Sequence, residues 1–345
     1  MNKKNIRTME EFASAVGLSR PTVSKYFQDP AAVREKVRQR IEVGLIETGF
    51  RPNLLAVNLN RRRTRIIGLV FPNSLDPFYM GLRHLVETKA REAGYLSFVF
   101  SSEGTPELEE EAIETLVSLN AAGLIMAPVI SGAHGQKLKR LAHRVPTVFI
   151  DVPFDAEETF VGNDNHQSIG LMVNYLSRFD EPPCYMSGPK VNRAHDERRG
   201  SYITSMKALG LDPVVIDGSP STTWEFEQYG YEEAKRIIAA GGFPTRSVLC
   251  CNDRLAFGVQ AAAYEAGIKV GIGSDCDLRV AGHDDHPLAR FAVPALTTVA
   301  QDTPRIGELA IQRLFAKIEA ETTADKQPQD TQIRVRAQLV LRASA

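Results

Sequence analysis

From Ile66 onward the chain alternates short apolar runs with longer stretches whose apolar residues recur at helical spacing. The runs 66–71 (IIGLVF), 96–100 (LSFVF), 123–128 (GLIMAP) and 146–151 (PTVFID) show no polar alternation. That is the mark of strands buried on both faces of a parallel sheet. Amphipathic stretches near 79–93, 107–121 and 134–143 separate them and predict the covering helices. The pattern resumes at 184–188 (CYMSG), 213–217 (PVVID), 247–253 (SVLCCND) and 278–285 (LRVAGHDD). Two doubly wound α/β halves of roughly 100 residues each are therefore expected. Ala320–Gln329 reads as a polar loop.

The first 60 residues follow a different rule. Thr8-Met-Glu-Glu11 is a capping box, opening a helix that turns Phe12, Ala13 and Val16 inward and stops at Gly17. Ser19 caps a second helix, whose first turn tolerates Pro21 because no amide donor is needed there. With Val23 and Phe27 facing the first helix, Arg20, Thr22, Ser24 and Lys25 project outward. A third helix runs from about Arg34 to Glu47 on a stripe of Val37, Ile41 and Leu45. Helix, tight turn and second helix, braced by a third, is a helix-turn-helix. The second helix of such a unit enters the major groove, where polar side chains near its start read base edges. Lys3, Lys4, Arg7, the Thr8 hydroxyl and the basic residues of the third helix are the expected phosphate contacts.

Charge supports that division. The net charge of −1 conceals 14 Lys and Arg against 6 Asp and Glu in residues 1–65, and 27 against 36 in the remainder. A small basic unit before a large acidic one implies a polyanionic partner for the first part only. No apolar run approaches a membrane span, and MNKKNIRTMEEF lacks the apolar segment of a secretory signal. Cys184, Cys250, Cys251 and Cys276 have no metal-ligand spacing and read as buried, reduced thiols. A cytoplasmic protein without a membrane partner is expected.

The sequence resembles the lactose-repressor/galactose-repressor (LacI) family of bacterial transcription regulators over nearly its whole length. The family's Val-Ser-x-x-Thr-Val-Ser-Arg opening is matched by Leu18-Ser-Arg-Pro-Thr-Val-Ser-Lys25. Its Gly-Tyr-x-Pro-Asn-x-x-Ala-x-x-Leu hinge is matched by Gly49-Phe-Arg-Pro-Asn-Leu-Leu-Ala-Val-Asn-Leu59. The resemblance implies DNA contacts from Thr8, Ser19, Arg20, Thr22, Ser24, Lys25 and Gln28. It adds Asn53, Ala56, Val57 and Leu59 of a hinge helix (52–59) that orders when two copies meet on DNA. Leu59 would wedge into the central minor-groove step, although Leu54, Leu55 and Leu59 could equally pack within a linker. Some positions depart from the pattern. Lys25 replaces an Arg and forgoes bidentate guanine recognition, Arg20-Pro21 is an unusual pair, Arg34 replaces a Ser cap, and Val57 stands where many members carry Arg.

In open α/β sheets ligands bind at the carboxyl ends of the strands. The residues there are 72–79 (PNSLDPFY), Asn252-Asp253, Asp284-Asp285 and Gln301. Singly, each Asn or Asp is equally a turn or cap residue, but together they point to one edge. The resemblance implies a two-lobed type I periplasmic-binding-protein-like domain sensing a sugar or sugar derivative. Its site residues would be Ser74, Asp76, Phe78, Tyr79, Asp164, Arg198, Trp224, Asn252, Asp284 and Gln301. The matches are Asp76-Pro-Phe-Tyr79, Val161-Gly-Asn-Asp-Asn165, Arg-Arg-Gly-Ser-Tyr202, Cys251-Asn-Asp253, Gly282-His-Asp-Asp285 and Leu296–Gln301. Because Ser201 replaces a Gly, Arg199 is the alternative to Arg198.

His283-Asp-Asp-His286 would not converge on one ion, since successive strand residues alternate faces. No P-loop, G-x-S-x-G or complete G-x-G-x-x-G motif occurs, and no nucleophile stands beside its base. A transport binding protein explains only the second part of the chain, and an α/β enzyme needs a catalytic constellation that is not found.

The expectation is thus an all-α helix-turn-helix domain with hinge (1–60), followed by an effector-binding and dimerisation domain (61–345). The lobes of the latter are expected at about 65–160 plus 292–325, and 161–291 plus 326–342. A homodimer would bind near-palindromic double-stranded operator DNA as a repressor and need neither cofactor nor metal. Ending at VLRASA without a heptad segment, the chain favours a dimer over a tetramer.

Overall fold

The computed structural model describes residues 6–28, 30–52, 63–129, 132–323 and 331–345. The chain divides into two compact units, 1–65 and 66–345. Apart from Pro52, the expected hinge lies outside the described residues, with its Asn53, Ala56, Val57 and Leu59, and so do Lys3 and Lys4.

In the first unit, α1 (Met9–Ala15), α2 (Arg20–Gln28) and α3 (Glu35–Thr48) surround one small core. The capping box forms as the sequence requires: the Glu11 amide donates to Thr8 Oγ1 at 3.2 Å, and the Thr8 amide donates back to Glu11 Oε2 at 3.2 Å. Gly17 (φ +60°) ends α1 in the left-handed region open to glycine. The Thr22 amide donates to Ser19 Oγ at 3.3 Å, which caps α2. Helix α3 starts at Glu35 rather than Arg34, whose backbone is extended and whose side chain makes no cap bond. Phe12, Val23 and Ile41 are fully buried, and the Phe12 ring stacks on Phe50 at 4.7 Å. Tyr26 takes the buried place expected for Phe27, which is only partly covered.

The second unit holds two parallel sheets. In the first, β1 (Ile66–Phe71), β2 (Leu96–Ser101), β3 (Gly123–Met126), β4 (Thr147–Ile150), β5 (Phe160–Asn163) and β11 (Gln332–Val335) lie in the order β11-β5-β4-β3-β1-β2. Its helices are α4 (Pro77–Glu92), α5 (Pro106–Ser118), α6 (Gly132–Ala142) and α11 (Thr303–Thr323). The second sheet orders β6 (Cys184–Met186), β7 (Val214–Ile216), β8 (Ser247–Cys250) and β9 (Arg279–Ala281) as β7-β6-β8-β9. It carries α7 (Asn165–Leu176), α8 (Arg193–Ala208), α9 (Phe226–Ala239) and α10 (Asp253–Glu265). Beside it, β10 (Thr298–Ala300) pairs antiparallel with β12 (Gln338–Val340).

These pairings correct the expected lobe bounds. β5 and β11 pair with each other in the first sheet, with Phe160 opposite Gln332, so 160–163 and 332–335 belong to the first lobe. Leu296 and Val299 are buried in the core of the second lobe, which takes 292–300 out of the first. Among the described residues the chain passes between lobes after β5, after β10 and after β11.

Helices α9 and α10 pack almost backbone to backbone. A Cβ on Gly230 would stand 2.4 Å from the Leu255 carbonyl oxygen, and one on Gly258 only 2.2 Å from that of Glu227. This approach brings Arg254 beside Glu227, Nε to Oε1 at 2.7 Å. The first residue of α10, Asp253, is fully buried. It accepts from Thr298 Oγ1 at 2.5 Å and from the His286 amide at 2.7 Å, and so ties α10 to β10. Burial, followed by the nearby charge of Asp284, pushes its pKa up to about 8.

A raised carboxyl pKa means that the folded chain holds a proton which the unfolded chain has released, so folding weakens as pH rises from about 4 to about 8. Asp253→Asn keeps an acceptor for the His286 amide and turns its amide toward Thr298, while removing the titration. Urea unfolding at pH 6 and pH 8 should show wild type losing stability relative to this variant by up to roughly 1.4 kcal/mol per pH unit. Equal pH dependence of the two proteins would refute the assignment.

Candidate functional site

The facing strand ends of the two lobes supply most of the side chains of one cleft, with a cavity of about 50 Å³. After β1, Asp76 caps α4, its Oδ1 accepting from the Phe78 amide at 3.0 Å. After β4 comes Asp151, with φ +64°. After β8, Asn252 caps α10 by accepting from the Leu255 amide at 2.8 Å. After β9 comes Asp284 with φ +120°, a backbone costly for any residue with a side chain. Strain of this kind is retained where surrounding contacts over-determine it, typically at binding sites.

Arg198 supplies those contacts. Its side chain, on the second turn of α8, is buried, and its nitrogens donate to three different elements. Nε reaches Asn165 Oδ1 at 3.3 Å, Nη1 the Cys251 carbonyl at 2.9 Å, and Nη2 Asp284 Oδ1 at 3.0 Å. Asp284 Oδ1 also accepts from Gln301 Nε2 at 2.7 Å and lies 2.7 Å from His283 Nδ1. Burial pushes the Asp284 carboxyl up, but the guanidinium charge and these hydrogen bonds outweigh it and hold the pKa at about 2. Burial, with the Arg198 charge, lowers His283 to about 4, so its ring is neutral. Its Nδ1–H therefore donates to Asp284, leaving Nε2 to accept from Ser168 Oγ at 2.8 Å. Arg199 turns outward and pairs with Asp217 through two bonds of 3.0 and 3.2 Å.

Two polar links cross the cleft. Arg254 Nη1 of the second lobe meets Asp76 Oδ2 of the first at 3.2 Å, and Asn192 Nδ2 donates to Asp151 Oδ2 at 2.9 Å. Asp151 Oδ2 also accepts from the Tyr79 hydroxyl at 2.8 Å. Burial raises the Asp151 pKa to about 6, only partly offset by Arg198 and the Tyr79 hydroxyl. Trp224 stands edge-on to Tyr79, ring centroids 6.4 Å apart. Its Nε1 would lie 2.3 Å from a Cβ on Gly104, so the first lobe's loop touches it closely.

Asp76, Phe78, Tyr79, Arg198, Trp224, Asn252, Asp284 and Gln301 line this cleft. Ser74 does not; it is exposed in the loop before α4. Asp164 is also elsewhere, at a crossing between lobes, capping α7 through the Gln167 amide at 3.0 Å. Sequence reasoning passed over Asp151, Asn192, His195 and Arg254. Asp151 immediately follows an apolar strand run, the signal that selected its neighbours, whereas the other three depend on tertiary placement. In the His283–His286 stretch, Asp285 pairs with Arg342 at 2.6 Å and the His286 ring packs edge-on to Phe257. Among the described residues no group of three His, Cys, Asp or Glu is placed to hold a metal ion. No described helix is long and apolar enough to cross a membrane.

On the first unit, Ser19, Arg20, Pro21 and Lys25 are exposed and Thr22 and Ser24 half-buried, which leaves a polar face at the start of α2. Arg20 Nε pairs with Glu10 at 2.9 Å, with both side chains open to solvent. The Gln28 side chain lies outside the described residues.

Residues 161–345 match the periplasmic binding protein-like domain family. The ribose operon repressor of Escherichia coli is 30% identical to this chain over 328 residues, 94% of this chain and 97% of that protein. The transcriptional regulator PtxS of Pseudomonas aeruginosa is 28% identical, covering 98% of this chain and 95% of its own. A Lac repressor dimer bound to operator and the anti-inducer ONPF is similar in structure, with a TM-score of 0.84 at 20% identity over 98% of each chain. The complex of the regulator CelR with cellobiose has a TM-score of 0.66 at 20% identity, covering 99% of this chain and all of that one. These two structures share its fold. Full-length similarity to the ribose operon repressor, with the two-lobed fold, shows that the chain belongs to the LacI (lactose-repressor/galactose-repressor) family of transcriptional regulators.

Proposed function

We propose that this regulator binds a near-palindromic operator as a homodimer through its first unit, and that a sugar or sugar derivative in the interlobe cleft controls that affinity. The observation that carries the reading is the convergence of Asp76, Tyr79 and Asp151 from one lobe with Asn192, Arg198, Trp224 and Asp284 from the other. Carboxylates and amides can exchange hydrogen bonds with hydroxyls, while Trp224 and Tyr79 offer apolar faces to a sugar ring. A ligand bonded to both lobes favours their closed arrangement by its differential affinity for it. Transmission of that preference to the DNA-binding unit is allosteric coupling, typically about 1–3 kcal/mol. Domain roles follow: 1–60 reads DNA, and 61–345 senses the effector and dimerises. The Lac repressor dimer on operator and the CelR–cellobiose complex support this reading by likeness.

A thermal-shift screen of sugars, polyols and their phosphates identifies the effector, because ligands of the folded state raise Tm. Arg198→Ala and Asp284→Ala should each weaken its binding about ten- to a hundredfold by leaving buried polar groups unpaired. Operator binding should persist, and Arg199→Ala should leave effector affinity unchanged. Calorimetry showing that Arg199, not Arg198, is required would reverse the assignment.

Operator binding, expected at tens of nanomolar or tighter, should fall steeply between low and physiological salt. Arg20→Ala and Lys25→Ala should each cost about 1–3 kcal/mol on the specific site, read by fluorescence anisotropy on a genomically selected operator. Recovery of no enriched palindrome, or variants indistinguishable from wild type, would refute this role for α2.

A further inference from the structure

The cleft's cavity of about 50 Å³ is well below the few hundred Å³ usual for a small-molecule site. A second hollow of about 550 Å³, open to solvent along Lys190, Asp196, Asp217, Ser219 and Thr222, lies on the second lobe, and His195 forms part of the wall of both. The His195 side chain stands apart from its neighbours. It is 6% exposed, yet neither Nδ1 nor Nε2 has a hydrogen-bond partner. Arg198, Asp151 and Asp284 beside it are each bonded. Burying an unpartnered polar ring is costly, which makes sense where a ligand supplies the partner. Burial lowers the His195 pKa, so the ring is neutral near pH 7 and has one donor and one acceptor nitrogen, matching a hydroxyl group.

The chemistry of the second cavity narrows the ligand. Its wall carries Ser187, Ser219, Ser221 and Thr222, with the aromatic Tyr229. The charges there cancel in number, Lys190 and Arg199 against Asp196 and Asp217, with Arg199 closed onto Asp217. The cleft itself sets the carboxyl groups of Asp76, Asp151 and Asp284 against two guanidinium groups, Arg198 in its lining and Arg254 paired with Asp76. Neither chamber offers a surplus of positive charge to an anion.

From this we infer that the effector is an uncharged, hydroxyl-rich molecule longer than one sugar ring. One end occupies the cleft and the other the side cavity, with His195 hydrogen-bonded to it at the junction. The inference rests on the effector reading of the cleft. Its test is calorimetry on the full chain with D-glucose, D-ribose, cellobiose, maltose, lactose, D-gluconate and glucose 6-phosphate. The measurements are repeated on His195→Ala and on Thr222→Trp, which fills the side cavity from an exposed position. A neutral disaccharide should bind most tightly, and each variant should weaken it by about tenfold or more. In Thr222→Trp, whose position lies outside the cleft lining, monosaccharide binding should change by less than about threefold. If a monosaccharide, gluconate or phosphate binds most tightly and depends on Arg198, the inference fails while the cleft reading stands. Tight disaccharide binding untouched by both variants overturns it as well. If no probe binds at millimolar concentration, both readings fall.

Discussion

The architecture of the two-lobed unit turns on one cation that cannot shed its charge. A guanidinium stays protonated at any pH a folded protein survives, so burying Arg198 obliges the chain to supply acceptors around it. They arrive from the start of α7, the end of β8 and the end of β9, as Asn165, the Cys251 carbonyl and Asp284. Gln301, at the crossing after β10, then donates to the same Asp284 oxygen. Four separate segments are thereby fixed at one point. Removing one partner from such a cluster costs more than any single exposed ion pair contributes, because the remaining charge is left uncompensated.

The same cation sorts the acidic residues around it. Asp284 touches the guanidinium and remains ionised, held near 2. Asp151 has the more distant charge and two neutral donors, the Tyr79 hydroxyl and the Asn192 amide, so burial prevails and its pKa rises to about 6. Asp253 faces Thr298 and a backbone amide with no cation in contact, and goes to about 8. Three aspartates at neighbouring strand ends therefore titrate in different ranges, and direct contact with Arg198 sets Asp284 apart. The links across the cleft inherit this order: Asp76–Arg254 is an ion pair, whereas Asn192–Asp151 joins a neutral donor to a carboxyl that titrates close to neutral pH.

Much of this was legible in the sequence, for a physical reason. Strands such as IIGLVF are buried on both faces and must be apolar throughout, and the polar residue that follows emerges at the strand end where ligands bind. That rule finds Asp76, Asn252 and Asp284, and applied once more it finds Asp151. It fails for β5 and β11, which owe their place in the first sheet to each other, partners distant in sequence. The lobe bounds shifted for this reason, since a β5–β11 pair spanning more than half the unit leaves no local signature. Asp164 shows the converse: a residue with the right neighbours in sequence is spent on capping a helix. His195 could not have been found at all, because lacking a partner is a property of the folded surroundings and not of the residue.

The helical unit obeys a different economy. Among its described residues the core is built on the buried apolar side chains Phe12, Ala13, Val16, Val23, Tyr26, Ile41 and Phe50, with other apolar residues partly buried around them. A domain this small cannot afford polar side chains on its inner faces, so Arg20, Thr22, Ser24 and Lys25 are confined to the outer face of α2. Nothing in packing requires that they be those residues: the Arg20–Glu10 pair is exposed on both sides and contributes little to folding. In the DNA-reading role proposed for α2, Glu10 is an ill-suited neighbour for phosphates unless Arg20 exchanges it for a stronger acceptor. An exposed pair of this kind costs little to break, so in that proposed role a base edge or a phosphate can displace Glu10 from Arg20.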